Sequence, residues 1–273
     1  MPTAEHPEQG SLEDLIPRLT AYVSTSDPDW AATLEGVSEE ELDNYCRLAG
    51  LSDAGLQLPA TYLSWARAAG RRDGGLLSDT LRAWVAVPKM VDFYKDCHKF
   101  EPQFIEADLP VVISWKIGDD ISFDLRGEAP EPSLRETGSG EDMGPYADSW
   151  EQVLFQCAFK RGEPRRWPSL ATYGASQDSL EQSLERSREH GGPNRADLLL
   201  SALLDELGLQ TLWISDPRHV FALGDQLSVA AVIGPTGGLV STVYGADPKR
   251  VQAVGSSLAG GIGASPGALE QWR

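Results

Sequence analysis

Histidines, cysteines and closely spaced acids are the residues through which this 273-residue chain could carry out chemistry. The four histidines include no HExxH or HxH pair, the spacings that bring two imidazoles to one metal ion. Cys97 and His98 are adjacent, and adjacent side chains usually point apart, so this pair predicts no metal site. A cysteine–histidine nucleophile would require two distant residues to meet in space, and no pattern indicates one. We therefore expect neither a metal nor a cofactor.

Acidic residues are closely spaced after Gly118, where Asp119 and Asp120 are followed by Asp124. Paired carboxylates can serve glycosidic or cation chemistry. Aspartate is also favoured in turns, because its side chain bonds to the nearby backbone. We predict that Asp119 and Asp120 lie in a hairpin turn, and binding of a partner remains open as a further role.

Two other patterns bear on catalysis. The glycine-rich segments 234–238 and 260–263 lack the lysine and the strand–loop–helix context of a phosphate-binding loop, so we interpret them as turns. An enzyme site in the C-terminal part would need a pocket in which four polar residues bond to one another. These residues are Asp216, Arg218, His219 and Asp225.

The net charge of −18 is unevenly distributed along the chain. Residues 1–162 hold 29 Asp and Glu against 14 Lys and Arg, a difference of −15, whereas residues 163–273 hold 12 against 9, a difference of −3. An acidic field repels nucleic acid and anionic membranes and attracts basic proteins. The asymmetry favours two domains, with any electrostatic binding surface on the first.

The cellular compartment follows from the termini, the hydropathy and the cysteines. No run approaches the roughly 20 apolar residues that span a bilayer, and residues 1–10 have no apolar core of a signal peptide. The three cysteines are an odd number with wide spacing, which suits reduced thiols better than a disulfide framework. We expect a cytoplasmic protein.

Hydrophobic periodicity predicts mainly helices in the first part of the chain, followed by one hairpin. The predicted helices cover about residues 11–23, 38–50, 58–70, 88–97 and 148–159, with a turn at 71–78 and a short helix or extended piece capped by Asp79. The hairpin consists of residues 109–115 and 121–125. Residues 128–144 contain proline and glycine breaks and five acids, so we predict a loop or a ragged edge.

The second part of the chain follows residues 163–177, which we predict to be a linker because the segment 162–174 contains two prolines, two glycines and a basic pair. Helices are predicted at 178–190, 195–207 and 247–258. Strands are predicted at 209–214, 219–223, 227–233 and 239–244. The fold class is α+β, with a mixed helix and antiparallel-sheet domain followed by a small α+β domain of residues 178–273.

Four sequence features of the first part occur in a familiar order. They are the segment Ser38–Leu51 (SEEELDNYCRLAGL), the run Leu58, Pro59, Tyr62, Leu63, Trp65, the strand pair around Gly118–Asp120, and the helix Asp148, Ser149, Trp150, Glu151, Leu154. On these features, residues 35–162 resemble the SUKH superfamily, which includes the yeast Smi/Knr cell-wall-assembly regulators and many bacterial immunity proteins. Residues 1–34 would be an N-terminal tail and helix.

The resemblance implies a binding module without a shared catalytic constellation. It implies an immunity protein that neutralises a protein toxin of a bacterial polymorphic or contact-dependent system, and the acidity suits a basic toxin such as a nuclease. The candidate contact residues are acids of the hairpin and the segment after it: Asp119, Asp120, Glu128, Glu131, Glu136, Glu141 and Asp142. Two alternatives stay open, a scaffolding protein of the cell-wall-assembly type and an enzyme in the C-terminal domain.

Overall fold

The computed structural model describes residues 10–100, 111–116, 119–125, 131–138, 141–234 and 237–271. The chain separates into two compact units, Met1–Ala158 and Phe159–Arg273. Both units combine helices with antiparallel sheets, which confirms the predicted α+β class.

The first unit contains short helices and two antiparallel sheets. Its helices are α1 (Leu15–Ser24), α2 (Glu39–Leu48), α3 (Leu51–Ala54), α4 (Ala60–Ala69), α5 (Leu76–Leu81), α6 (Val87–Phe100) and the first part of α7 (Trp150–Arg166). Its strands are β1 (Leu34–Glu35), β2 (Arg72–Asp73), β3 (Val111–Lys116), β4 (Asp119–Phe123), β5 (Leu134–Gly138) and β6 (Glu141–Ala147). β1 pairs with β2, and the others form a sheet in the order β3-β4-β5-β6.

Two helices of this unit begin at the predicted capping residues. Ser38 and Glu41 form a complete capping box at the start of α2, which satisfies two backbone N–H groups that the helix leaves free. At the start of α7, the Ser149 hydroxyl accepts a hydrogen bond from the Gln152 N–H at 3.2 Å. These short-range contacts explain why the sequence pattern located both helices correctly.

Two predictions in the sheet region were wrong. Residues 128–144 were predicted as a loop or a ragged edge, and the loop alternative is wrong, since they include β5 and the start of the edge strand β6. Shifts of register between β5 and β6, together with Gly144 and Pro145, conceal the alternation by which a strand is recognised. Asp119 and Asp120 were predicted in the turn, and instead they begin β4, in register with Lys116 and Trp115.

A third difference concerns residues 71–81. This segment was predicted as a turn followed by a short helix or extended piece that Asp79 caps, but α5 begins earlier, at Leu76, and Asp79 lies inside it. The carboxylate that binds the first turn of α5 belongs to Asp73.

An aromatic cluster forms the core of the first unit. The rings of Tyr62, Trp65 and Trp150 lie 5.3–5.4 Å from one another, and Phe123 of β4 meets Tyr62 edge to face at 5.5 Å. All four side chains are almost completely buried. Tilted and edge-to-face contacts at these distances are the favourable arrangements of aromatic rings. The cluster therefore joins α4, α7 and the sheet.

Two tyrosines attach the helices to the outer strand of the four-stranded sheet. The Val112 N–H donates to the Tyr94 hydroxyl at 2.9 Å, and the Tyr45 hydroxyl donates to the Val112 carbonyl at 2.7 Å. Burial raises the pKa of both tyrosines, so both hydroxyls stay protonated. Because these bonds use the backbone groups of an edge residue, they also prevent another strand from pairing there.

Replacing Tyr94 with phenylalanine should lower the free energy of unfolding by about 1–2 kcal/mol, because the Val112 N–H loses its acceptor inside the fold. Tyr45→Phe should lower the free energy of unfolding by a similar amount, because the Val112 carbonyl loses its donor. Urea denaturation of both variants and of the double variant measures the effect. Losses that fall within experimental error would show that the hydroxyls do not hold β3.

The second unit combines a six-stranded antiparallel sheet with helices packed against it. It contains the end of α7, then β7 (Ser169–Ala175), α8 (Gln177–Glu189), α9 (Ala196–Glu206), β8 (Gln210–Thr211), β9 (His219–Gly224), β10 (Leu227–Ile233), β11 (Leu239–Gly245), α10 (Pro248–Ile262) and β12 (Ser265–Gln271). The strand order is β12-β7-β11-β10-β9-β8. The three predicted helices and the strands predicted at 219–223, 227–233 and 239–244 are confirmed, with small differences at their ends. The strand predicted at 209–214 is shorter, Gln210–Thr211, and β12 was not predicted.

The predicted linker, residues 163–177, is ordered instead. It contains the last turn of α7 and the whole of β7, which pairs with β11 and β12 inside the sheet. Alternate residues of β7 are buried, namely Ser169, Ala171, Tyr173 and Ala175. Pro168 and Gly174 are residue types typical of turns, so the alternation of buried and less buried residues along β7 was not recognised as a strand.

Candidate partner-binding surface

The four-stranded sheet of the first unit aligns acids that are far apart in sequence. Asp119 of β4 and Glu141 of β6 both pair with Gly138 of β5. In the adjacent register, Asp120 and Asp142 both pair with Thr137. Since neighbouring strands lie about 4.8 Å apart, the backbones of the two acids in each register are about 10 Å apart. The sheet therefore places four of the seven candidate residues at one end, here called the acidic sheet end (Asp119, Asp120, Glu141 and Asp142).

Two candidate residues near this end are half-buried. Asp120 lies close enough to Tyr94 for its charge to contribute, after burial, to the raised pKa of that tyrosine. Glu136 pairs with Ile121 and with Gly144, one register further into the sheet. Both have contacts within the chain. Asp120 and Glu136 thus contribute charge to this region and also make contacts within the first unit.

Glu131 has a structural role that the sequence did not indicate. Its carboxylate accepts a 2.6 Å bond from the Thr61 hydroxyl and a 3.4 Å bond from the Thr61 N–H, in the first turn of α4. A carboxylate at this position satisfies a free helix N–H and opposes the positive end of the helix dipole. Glu131 therefore fastens its segment to α4. The remaining candidate, Glu128, lies outside the described residues.

Basic residues partly offset the acids of the sheet. Lys116 pairs with Asp119 across β3 and β4, and Arg135 pairs with Ser122 and Pro145. The excess of acids persists over the whole unit. Residues 1–158 hold 29 Asp and Glu against 12 Lys and Arg, a net charge of −17, whereas residues 159–273 hold 12 against 11, a net charge of −1. The acidic field belongs to the first unit.

Helices α2 and α6, which pack together, carry further exposed acids that the sequence reasoning did not select. Some neighbouring acids are neutralised locally, since Arg67 binds Glu39 and Arg71 binds Glu41. In the described part of the chain, no ion pair involves the exposed carboxylates of Glu40 and Asp43 on α2 or of Asp96 on α6. Their positions on the polar faces of these helices were visible in the periodicity, but that pattern is also the pattern of any solvated helix.

The residues proposed for an enzyme site in the second unit come together only in part. His219 Nδ1 lies 3.1 Å from both carboxylate oxygens of Asp216, and the Arg218 and His219 backbone N–H groups each donate to Asp216 Oδ1 at 2.8 Å. Asp225 follows the far end of β9, about 20 Å from His219 at the usual rise of a strand. Asp216 and His219 thus form an aspartate-stabilised turn at the start of β9.

Burial decides the charge state of this pair. Both side chains are buried, and desolvation lowers the pKa of His219, although the bond that its ring donates to Asp216 opposes the shift. The imidazole is therefore neutral at pH 7. Because a carboxylate only accepts, Nδ1 is the ring atom that carries the proton. Asp216 and His219 therefore have a structural role in this turn.

The structural findings on metal sites and membrane spans cover the described residues only. Within those ranges, no group of three or more histidine, cysteine or acidic side chains is placed to hold a metal ion. Cys97 is buried while His98 is exposed and contacts the Leu48 carbonyl through Nε2. A search of the same residues finds no helix with the length and apolar character needed to cross a bilayer.

Comparison with protein-family models, with curated proteins and with solved structures finds no match for this chain.

Proposed function

We propose that this chain is a non-catalytic binding protein of the SUKH type, which neutralises a basic protein toxin by docking the acidic sheet end onto it. The observation that carries the proposal is the alignment of Asp119 with Glu141 and of Asp120 with Asp142, in adjacent registers of a unit with a net charge of −17. Two separate strands bring these four acids to one end of the sheet because both strands pair with β5.

The fold elements behind the resemblance support this assignment. The capped helix α2, the helix α4 that follows Pro59, the antiparallel strands and the helix α7 that follows Ser149 occur in the order that the resemblance requires. The residues of these elements, such as Tyr62, Trp65 and Trp150, are buried in the core. Function in such a module would therefore depend on surface residues that the family motif does not specify.

Electrostatics explains how such a surface would act. An acidic patch accelerates the encounter with a basic partner and orients it before contact. If the partner is a nuclease, its basic substrate groove is the complementary surface, and an occupied groove cannot bind nucleic acid. Attraction of this kind weakens as salt is added, because ions screen exposed charges beyond about 8–10 Å.

Neutralising three acids of the sheet end should slow association with the partner by about tenfold at low salt. The variant is Asp119→Asn/Glu141→Gln/Asp142→Asn, and the partner is the product of the adjacent gene, first tested for toxicity and for rescue by co-expression. Association and dissociation rates measured at several salt concentrations give the effect. Growth rescue should weaken in parallel with the slower association.

The control carries an equal change of charge in the second unit, Asp178→Asn/Glu185→Gln/Glu189→Gln on the exposed side of α8. It should change the association rate by no more than about twofold, because these three charges are not part of the proposed docking surface. Equal effects of the two variants would refute the acidic sheet end as the docking site. If the neighbouring product is harmless and no basic protein binds, the immunity proposal itself fails, and a scaffolding role takes its place.

A further inference from the structure

A fully buried carboxylate occupies the last turn of α7 in the second unit. The side chain of Glu163 has no exposed surface. An isolated carboxylate in such a place is strongly unfavourable, so it must be neutralised by protonation or by donors. Glu163 has hydrogen-bond donors on both of its oxygens.

Three donors reach Glu163, and they are divided unequally between its two oxygens. Oε2 accepts from the Trp167 indole N–H and from the Ser228 hydroxyl, each at 2.6 Å. Oε1 accepts from Arg166 Nη1 at 2.9 Å. The Arg166 side chain is 17% exposed and therefore reaches solvent. Solvent thus approaches the carboxylate from the side of Oε1.

The titratable groups that face this carboxylate are Arg166 from α7 and Tyr244 from β11. Ser228 of β10 pairs with Tyr244 in the sheet, and Trp167 follows the helix. Burial, together with the charge of Glu163, raises the pKa of Tyr244 to about 12, so this hydroxyl remains neutral under ordinary conditions. Within the described residues, Arg166 is thus the charged group that pairs with Glu163.

Opposing influences act on the charge of Glu163. Burial favours the neutral acid, whereas Arg166 and the two other donors favour the carboxylate. Burial is the largest of these influences, and it raises the pKa of Glu163 above its ordinary value. The site consequently changes its protonation state at a pH higher than that of an exposed glutamate.

We propose that Glu163 and Arg166 form a proton-operated latch in the second unit: the ionised carboxylate holds Arg166 against the end of α7, and protonation releases it. The proton from solvent binds Oε1, because Oε2 already accepts two bonds from Trp167 and Ser228. A proton on Oε1 displaces the Arg166 N–H, and the guanidinium turns toward solvent. The bonds to Oε2 remain, so Trp167 stays in place and reports the change. The latch is independent of the function proposed for the first unit.

The stability of the second unit should respond to the latch with a defined sign. A carboxyl group whose folded pKa is raised binds its proton more tightly in the folded state. Its contribution to stability is therefore fully present below pH 4.5 and is lost as the pH rises through the folded pKa. The lowered pKa of His219 has the opposite effect, since its contribution is lost as the pH falls below the ordinary value of 6.5.

The test follows the Trp167 indole N–H by NMR between pH 4 and pH 8 in the whole protein. The wild type should show one titration with a midpoint above 4.5, and Trp167→Phe assigns the signal. Glu163→Gln keeps an oxygen for the two donors and should abolish the titration. Glu189→Gln, an exposed glutamate of α8, should leave it unchanged. Arg166→Gln should raise the midpoint by about one unit or more, because the opposite charge is removed.

Each arm can overturn the proposal. A wild-type signal that does not change over the whole range would exclude a titrating Glu163, and this measurement needs no variant. A titration that persists in Glu163→Gln would assign the proton to another group, and His219→Gln would show whether that group is His219. A midpoint that Arg166→Gln leaves unchanged would show that protonation does not occur against Arg166.

Discussion

Replacing Gly255 with alanine is expected to lower the free energy of unfolding of the second unit by about 2–3 kcal/mol. Gly255 lies in α10, where its backbone packs against β7. An added Cβ would overlap the ring of Tyr173 at Cε2, Cζ and Oη. Tyr173 is buried in the main apolar cluster of the unit, so its ring has no free space to enter. Overpacking should therefore outweigh the roughly 1 kcal/mol that alanine gains over glycine in a helix.

The same helix provides a matched control. Gly260 is also in α10, and an added Cβ there has no neighbour within 4 Å. Gly260→Ala should raise the free energy of unfolding by about 0.5–1 kcal/mol through helix propensity alone. Urea denaturation, with hydrogen exchange of β7 to localise the change, measures both variants. If the two substitutions shift stability in the same direction, the close contact between α10 and β7 is not what requires Gly255.

Replacing Asp73 with alanine is expected to lower the free energy of unfolding of the first unit by about 2–4 kcal/mol. Its buried carboxylate accepts bonds from the N–H groups of Gly75, Leu77 and Ser78 at 2.6–3.1 Å, and from the Ser78 hydroxyl at 3.3 Å. The Asp73 carbonyl also accepts from the Trp30 indole at 3.0 Å. Alanine would leave the N–H groups at the start of α5 without their acceptor.

Two further substitutions separate this capping role from a general effect of charge. Asp79→Ala removes an exposed acid from inside α5 and should change stability by less than about 0.5 kcal/mol. Asp73→Asn keeps an oxygen acceptor and should cost less than Asp73→Ala. Denaturation followed by tryptophan fluorescence provides the comparison, because Trp30 contacts this turn. An Asp79→Ala loss equal to that of Asp73→Ala would contradict the capping explanation.

The turn around Asp73 also shows what sequence reasoning could recover in the first unit. Ser38 and Glu41 are three residues apart and form a capping box, so α2 was predicted correctly. Asp73 binds N–H groups up to five residues away, across Gly74 and Gly75 with positive φ angles of 61° and 78°. An added Cβ at Gly74 would overlap Trp30 and Thr33. That requirement comes from residues about forty positions earlier, and no local pattern contains it.

For the candidate partner-binding surface, the sequence likewise supplied one part of the result and the tertiary structure the other. The sequence selected Asp119, Asp120, Glu141 and Asp142 by composition, but with a loop after residue 128 it could not align β4 with β6. The sheet pairs both strands with β5 and so brings these acids together. Glu131 was selected for the same reason as the others, yet its contact with Thr61, seventy residues away, gives it a structural role.

The sequence by itself determined the helices with strong periodicity, the consecutive strands β9, β10 and β11 of the second unit, the α+β class and the concentration of acid in the first part of the chain. These properties depend on neighbouring residues or on composition. Only the tertiary structure decided that residues 169–175 form an inner strand, that four distant acids share one end of a sheet, and that Glu163 is buried beside Ser228. Each of these depends on contacts between residues far apart in the chain, whose free energy is absent from any local window of sequence.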